Sequence, residues 1–249
     1  MQGFWETYMK SVDGYPAMLS FNATVSQNAP DEEYGYVAFV KVKLKSPTDE
    51  GLISQEDVDE VGFIEDRLEL ESLRYRHGEY VGRIITQGHI NFIYYLKMDF
   101  EWSDTVAAAM GYFEDYTFEL GSRLDSEWEV YQKLLFPTAR EWQIIQNHHA
   151  CDELKNAGDN LKLKRAIEHT MYFPTPQERE LFGDFIQNEE FKLQKNLEPS
   201  EEIPFYGVKF YRIDVPFYRD IDKLTMELID HSEKFNGQYD GWETSLVKI

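Results

Sequence analysis

The sequence predicts an α+β protein made of two tandem ferredoxin-like sandwiches, each with an antiparallel sheet in split βαβ order. A chain of 249 residues is long enough for two cores of ordinary size. Aromatic residues make up 15% of the chain, a content that excludes a disordered protein. Both halves then repeat the order strand, helix, two strands, helix, strand. We place the boundary at Pro137, which gives predicted domains 1–137 and 138–249.

Period-two and helical apolar patterns define the elements of the first half. Turn residues Val12-Asp13-Gly14 and Gln87-Gly88 each join two strand-like runs, so both are interpreted as hairpins. The predicted elements are, in order, an opening hairpin, strand 36–44, helix 49–71, strands 80–86 and 89–98, a helix capped by Ser103 or Asp104, and a closing strand 128–136.

The second half adds a helix in front of the same order. Gly158 is placed to end that helix, and Thr175-Pro176 to begin the next one. Asp240-Gly241 is predicted to form a tight turn that leads into the last strand and buries Trp242. The predicted elements are helix 138–158, strand 165–173, a helix from Thr175, strands 191–197 and 207–215, a helix around Ile221, and strand 243–249.

The net charge of the chain indicates the class of partner. The chain carries 46 acidic and 25 basic residues, a net charge of −21, and both halves are acidic. Phosphate backbones are bound by Lys and Arg, and the sequence shows no basic patch, so direct binding of nucleic acid is not expected. Cationic proteins or metal ions are the partners that this charge predicts.

The sequence lacks the signals of several classes of protein. No apolar run reaches the ~20 residues of a membrane helix, and the first six residues do not resemble a signal peptide, so a cytoplasmic protein is expected. Cys151 is the single cysteine, which excludes an internal disulfide. There is no Gly-rich phosphate loop and no nucleophile elbow, and no cofactor is predicted.

One histidine cluster offers an enzymatic alternative. His148 and Asp152 lie four residues apart on the predicted helix, and His149 lies three before Asp152, so these side chains could share a cation. His148 and Cys151 also follow the apolar stripe of that helix, which is typical of a core-edge histidine and a buried thiol. A metal-dependent hydrolase therefore stays open as an alternative. A small-ligand-binding protein, with a deep apolar pocket between the two sheets, is a further alternative.

His169 lies on a strand face with apolar neighbours, a pattern typical of a hydrogen-bonded interior histidine. Its partner would be Asp240 if the strand register brings the two together.

A second candidate surface is the acidic face of helix 49–71. Like charges three and four residues apart destabilise a helix, so their clustering has a local cost. The acidic residues of this face either keep the protein soluble or mimic RNA phosphates and dock on a basic surface of a partner. The four residues on which this hypothesis depends are Glu56, Asp57, Asp59 and Glu60.

The stretch from Ser232 to Thr244 resembles the bacterial family of regulators of ribonuclease E activity B. It contains Glu233-Lys234-Phe235 followed by Tyr239-Asp240-Gly241-Trp242. Ile167-Glu168-His169, on the first strand of the second half, fits the same family. The resemblance covers about 142–249. The first half, with Asp13-Gly14-Tyr15-Pro16 and Val81-Gly82-Arg83, resembles an uncharacterised bacterial domain, the domain of unknown function 695 family.

The resemblance implies a non-enzymatic protein that binds an RNA-processing endoribonuclease and lowers its cleavage of RNA. His169, Tyr239, Asp240, Gly241 and Trp242 are carried over as family-motif or partner-binding positions.

Overall fold

The computed structural model describes residues 3–75 and 78–248, and the chain forms two compact units, one up to Glu141 and one from Trp142. Each unit has helices and one antiparallel sheet, with six strands in the first and four in the second. The predicted α+β class with two antiparallel sheets is confirmed. None of the helices in the described ranges is long and apolar enough to cross a membrane.

The first unit is a split βαβ sandwich extended by a hairpin. The sheet order is β1-β2-β4-β5-β3-β6, so its last four strands have the ferredoxin-like order and the hairpin β1–β2 adds to the β4 edge. The elements are β1 (Trp5–Val12), β2 (Tyr15–Asn22), β3 (Tyr36–Lys43), α1 (Val58–Tyr75), β4 (Gly78–Thr86), β5 (His89–Leu96), α2 (Trp102–Met110) and β6 (Phe118–Leu124).

Both predicted hairpins of this unit are confirmed. Their two central residues have positive φ, at 52° and 84° for Asp13-Gly14 and at 50° and 73° for Gln87-Gly88. That conformation matches the right-handed twist of the flanking strands.

The first sheet has side chains packed on both faces. Helices α1 and α2 cover one face and bury Ile64, Phe92 and Trp102 among others. On the other face a π-helical turn, Val130–Leu135, brings Trp128 against the ring of Tyr95, with ring centroids 3.9 Å apart.

The predicted strand over 128–136 is wrong. Asp125 accepts hydrogen bonds from the backbone N–H groups of Glu129 and Val130, which winds the chain into a helical turn. The closing strand is β6, an almost fully exposed edge strand without an alternating pattern. The helical spacing of Trp128, Tyr131 and Leu135 was the signal for the turn.

The second unit repeats the order, with an additional helix in front. Its sheet has the order β10-β7-β9-β8, the ferredoxin-like arrangement, with all pairs antiparallel. The elements are α3 (Ala139–Asn156, which begins just before the division between the units), β7 (Arg165–Phe173), α4 (Pro176–Asn188), β8 (Lys192–Leu197), β9 (Tyr206–Asp214), α5 (Tyr218–Ser232) and β10 (Gln238–Thr244).

The predicted bounds of the last strand, and the turn before it, are wrong. The left-handed turn residue is Asn236, with φ 54°, and β10 begins at Gln238. Tyr239 pairs with Met171 and Gly241 with Thr170, so Asp240 is the extra residue of a β-bulge. Because of that residue, Tyr239 and Trp242 point to the same face although they lie three apart.

Candidate functional site

His169 lies at the centre of the second unit's core. Its side chain is fully buried, and its ring stacks on Phe210 with centroids 5.5 Å apart. Its Nδ1 forms a 2.8 Å hydrogen bond with the hydroxyl of Tyr239. The expected interior position is therefore observed, but the partner is Tyr239, whereas Asp240 is exposed at the bulge.

Burial fixes the charge state of this pair. Desolvation, together with the nearby positive charge of Arg212, lowers the pKa of His169 to about 3. Burial and then the charge of Asp240 raise the pKa of Tyr239 well above its ordinary value. Both groups are neutral near pH 7, so the pair is a neutral hydrogen bond inside the core.

Trp242 joins β10 to helix α3 through Asn147. The indole Nε1 donates a 2.9 Å hydrogen bond to Asn147 Oδ1, and the ring packs against the core. The Trp242 side chain is only partly exposed and contacts the second core, so the expected inward position is observed. An indole that keeps one edge at the surface can still hold the strand on the helix.

Asn147 is fully buried and is the centre of a polar network between α3, α5 and β10. Its Oδ1 accepts from Gln143 as well as from Trp242, and its Nδ2 donates to Asp222 and Thr225 at 3.0 and 2.8 Å. All its hydrogen-bonding groups have partners, which is the condition for a buried network to stabilise a fold.

Asn147→Ala is expected to lower the free energy of unfolding by about 3 kcal/mol, because several buried groups lose their partner at once. Asn156→Ala is the matched control, since Asn156 is exposed at the end of the same helix and its loss should cost less than about 0.5 kcal/mol. Urea unfolding followed by circular dichroism measures both. Equal midpoints for the two variants would contradict the role of the network.

The side chains of the predicted histidine cluster on α3 do not converge on one point. His148 Nε2 lies 2.8 Å from Asp222 Oδ2, and that hydrogen bond raises the His148 pKa. Asp152 instead accepts a hydrogen bond from the hydroxyl of Tyr218. Across residues 3–75 and 78–248, no group of three or more His, Cys, Asp or Glu side chains is placed to hold a metal ion. His148 therefore acts as a link between α3 and α5.

Cys151 is fully buried beside this cluster. Desolvation, and then the charges of Asp222 and Asp152, raise the pKa of its thiol to about 12. The thiol is protonated at neutral pH and is a packing group, as its position on the apolar stripe predicted.

The acidic helix differs from its prediction at its start. α1 begins at Val58, and Asp57 before it is only 2% exposed. The Asp57 carboxylate accepts hydrogen bonds from the backbone N–H groups of Lys45 and Ser46. Asp57 is therefore a structural residue and does not lie on the outer face.

Glu60 is exposed but has local partners. Lys45 Nζ lies 2.8 Å from its carboxylate, and the hydroxyl of Tyr116 donates to it at 2.7 Å. These two hydrogen bonds, that of Lys45 first, lower the pKa of Glu60. Glu56 and Asp59 are exposed as well, so three of the four predicted residues lie at the surface.

Exposed apolar side chains lie between the acids of α1. Phe63, Leu70 and Leu73 are 64%, 53% and 64% exposed. Together with exposed Asp59 and Asp66 they follow helical spacing along one line, which we name the α1 outer stripe. The sequence prediction identified the acids of this face and missed its apolar residues.

The fold and these clusters define the class of protein: a tandem of two antiparallel α+β units whose family-motif residues lie in and around the second core. Residues 4–136 match the model of the family of unknown function DUF695, and the chain belongs to this family. Residues 144–244 match the model named Regulator of ribonuclease activity B. Both resemblances inferred from the sequence are confirmed.

No curated protein matches the chain significantly. A solved structure, the crystal structure of an unknown protein from Galdieria sulphuraria, is similar over 84% of this chain and 97% of its own, at 10% identity and a TM-score of 0.24.

The match to residues 144–244 supports a regulator of ribonuclease activity in general. That family is regulatory, which fits a protein that is not an enzyme.

Proposed function

We propose that this chain binds an RNA-processing endoribonuclease and lowers its cleavage of RNA through protein–protein contact, without catalysis of its own. The observation that carries the proposal is the match of residues 144–244 to the ribonuclease-regulator family. The net charge of −21 supports it, since ribonucleases that handle RNA present cationic surfaces.

The α1 outer stripe is the proposed docking surface in the first unit. Asp59 and Asp66 lie seven residues apart, about 10 Å along the helix, so a basic partner can meet both carboxylates. Phe63, Leu70 and Leu73 supply the exposed apolar area that a stable contact requires. Charge then steers the approach, while apolar burial holds the complex.

The test uses the full chain and the purified endoribonuclease of its host. Association is measured by surface plasmon resonance, and inhibition by cleavage of a fluorescent RNA substrate. Asp59→Asn combined with Asp66→Asn is expected to slow association about tenfold at low salt and less at high salt. Phe63→Ser with Leu70→Ser is expected to accelerate dissociation instead.

The charge control is Glu201→Gln with Glu202→Gln, two exposed loop acids in the second unit, which should leave association unchanged. Absence of binding by the unaltered chain would contradict the proposed function. Inhibition that persists in both stripe variants would leave the function standing and show that the docking surface lies elsewhere.

A further inference from the structure

One face of the second unit's sheet is not covered by any described helix of that unit. Helices α4 and α5 pack on the face that carries His169 and Phe210, and α3 is hydrogen-bonded to α5 on that side. The opposite face shows two half-exposed tyrosines and three lysines, which we name the basic sheet face. Its members are Tyr172, Tyr211, Lys192, Lys195 and Lys209.

Strand register places these side chains in three successive rows. Tyr172 pairs with Gly207, Lys209 with Lys195, and Tyr211 with Lys192. Tyr172 and Tyr211 thus lie on the two central strands, about 13 Å apart, with Lys209 between them. The ring of Tyr172 lies over Gly207, where an added Cβ would approach its Cε1 to 2.7 Å. Glycine at that position leaves the room that the Tyr172 ring occupies.

The lysines of this face are poorly compensated in an otherwise acidic protein. Lys192 and Lys195 are exposed and form no ion pair with another described residue. Lys195 and Lys209 are direct cross-strand neighbours, and like charges in that position destabilise a sheet. Lys209 is paired with Glu243 at 2.7 Å. Glu168 and Glu243 also lie on this face, and Glu168 is the cross-strand neighbour of Tyr211, so the positive charge without an ion pair is that of the two β8 lysines.

Protection of an edge strand explains part of the pattern. Lysines on an edge such as β8 prevent strand pairing between molecules. That account does not explain a lysine and two partly exposed tyrosines on the central strands β7 and β9. Aromatic rings on the two central strands of an open four-stranded sheet, next to a basic edge, form the arrangement on which single-stranded RNA bases stack.

We propose that the basic sheet face binds single-stranded RNA, with bases stacked on Tyr172 and Tyr211 and phosphates along Lys192 and Lys195. The charge of the whole chain predicts repulsion of RNA, but registry concentrates three of its lysines on one face. The inference is independent of the proposed binding to an endoribonuclease.

The test is fluorescence anisotropy of the full chain with a labelled single-stranded RNA of about 12 nucleotides at low salt. Tyr172→Ala and Tyr211→Ala are each expected to weaken binding about tenfold or more, and Tyr→Phe at the same positions to retain it. Lys192→Gln with Lys195→Gln is expected to lower the slope of log affinity against log salt by about 1.4. Circular dichroism checks that every variant is folded.

The matched control is Lys155→Gln with Lys223→Gln, which removes the same charge from helices on the other side of the sheet. The inference is overturned if the unaltered chain does not bind the RNA, if this control weakens binding as much as the β8 pair, or if duplex RNA of the same sequence binds as tightly. It is also overturned if the tyrosine variants keep RNA binding and lose the endoribonuclease, because the face would then be a protein contact.

Discussion

Replacing Trp128 by alanine is expected to lower the free energy of unfolding of the first unit by about 3 to 5 kcal/mol. The indole is fully buried, stacks on Tyr95, and contacts Tyr131 edge to face at 6.0 Å. Its Nε1 also donates a 2.8 Å hydrogen bond to the carbonyl of Tyr34. The variant therefore loses apolar burial, leaves a cavity between the π-helical turn and the sheet, and leaves a carbonyl without its donor.

Hydrogen exchange of the β3 and β5 amides, with urea unfolding, measures this loss. Tyr112→Ala is the control, since Tyr112 is an aromatic side chain of the same unit that is 67% exposed. This substitution should lower the free energy of unfolding by about 0.5 kcal/mol or less. A Trp128→Ala protein with the exchange rates of the unaltered chain would show that the π-helical turn contributes little to this unit.

Acidification is expected to destabilise the second unit through His169, by about 2 kcal/mol between pH 6.5 and about pH 4.5. The pKa of His169 is lowered to about 3 in the folded chain, whereas an unfolded histidine has its ordinary value near 6.5. Between these two values the unfolded state binds the extra proton. Stability is thus fully present above about pH 6.5 and is lost as the pH falls toward 3.

The measurement compares the pH dependence of urea unfolding in the unaltered chain and in His169→Gln, which keeps a hydrogen-bonding group near Tyr239. The variant is expected to be less stable at pH 7 and to show a shallower loss on acidification. His148, whose pKa is raised, favours the folded state in acid, and its effect cancels because both proteins contain it. If the free energy of unfolding depended on pH equally in both proteins, His169 would not titrate as its burial requires.

Short-range signals made much of this fold predictable. The β4–β5 hairpin follows from Gln87-Gly88 between two alternating runs, and Thr175 caps the start of α4 with a complete capping box. In both, a few adjacent residues determine the backbone. The exposed edge strand β6 was missed because its residues do not alternate in burial. The π-helical turn was missed because Trp128, Val130, Leu134 and Phe136 lie at alternate positions, as in a strand.

The candidate sites were predicted less well, since their contacts join residues far apart in the chain. His169 bonds Tyr239, 70 residues away, and Trp242 bonds Asn147, 95 residues away. Asp57 resembled its acidic neighbours in the sequence, yet two backbone N–H groups of the preceding loop hold it inside.

By itself, then, the sequence determined the order of the elements, the hairpins and the acidic character of the protein, because these depend on local backbone preference and composition. Only the tertiary structure decided which side chains meet. One extra residue at Asp240 changes the face of every later side chain in β10, and the pairing of β7, β8 and β9 places two tyrosines and three lysines on one surface. Register depends on packing across the whole sheet, and no short segment encodes it.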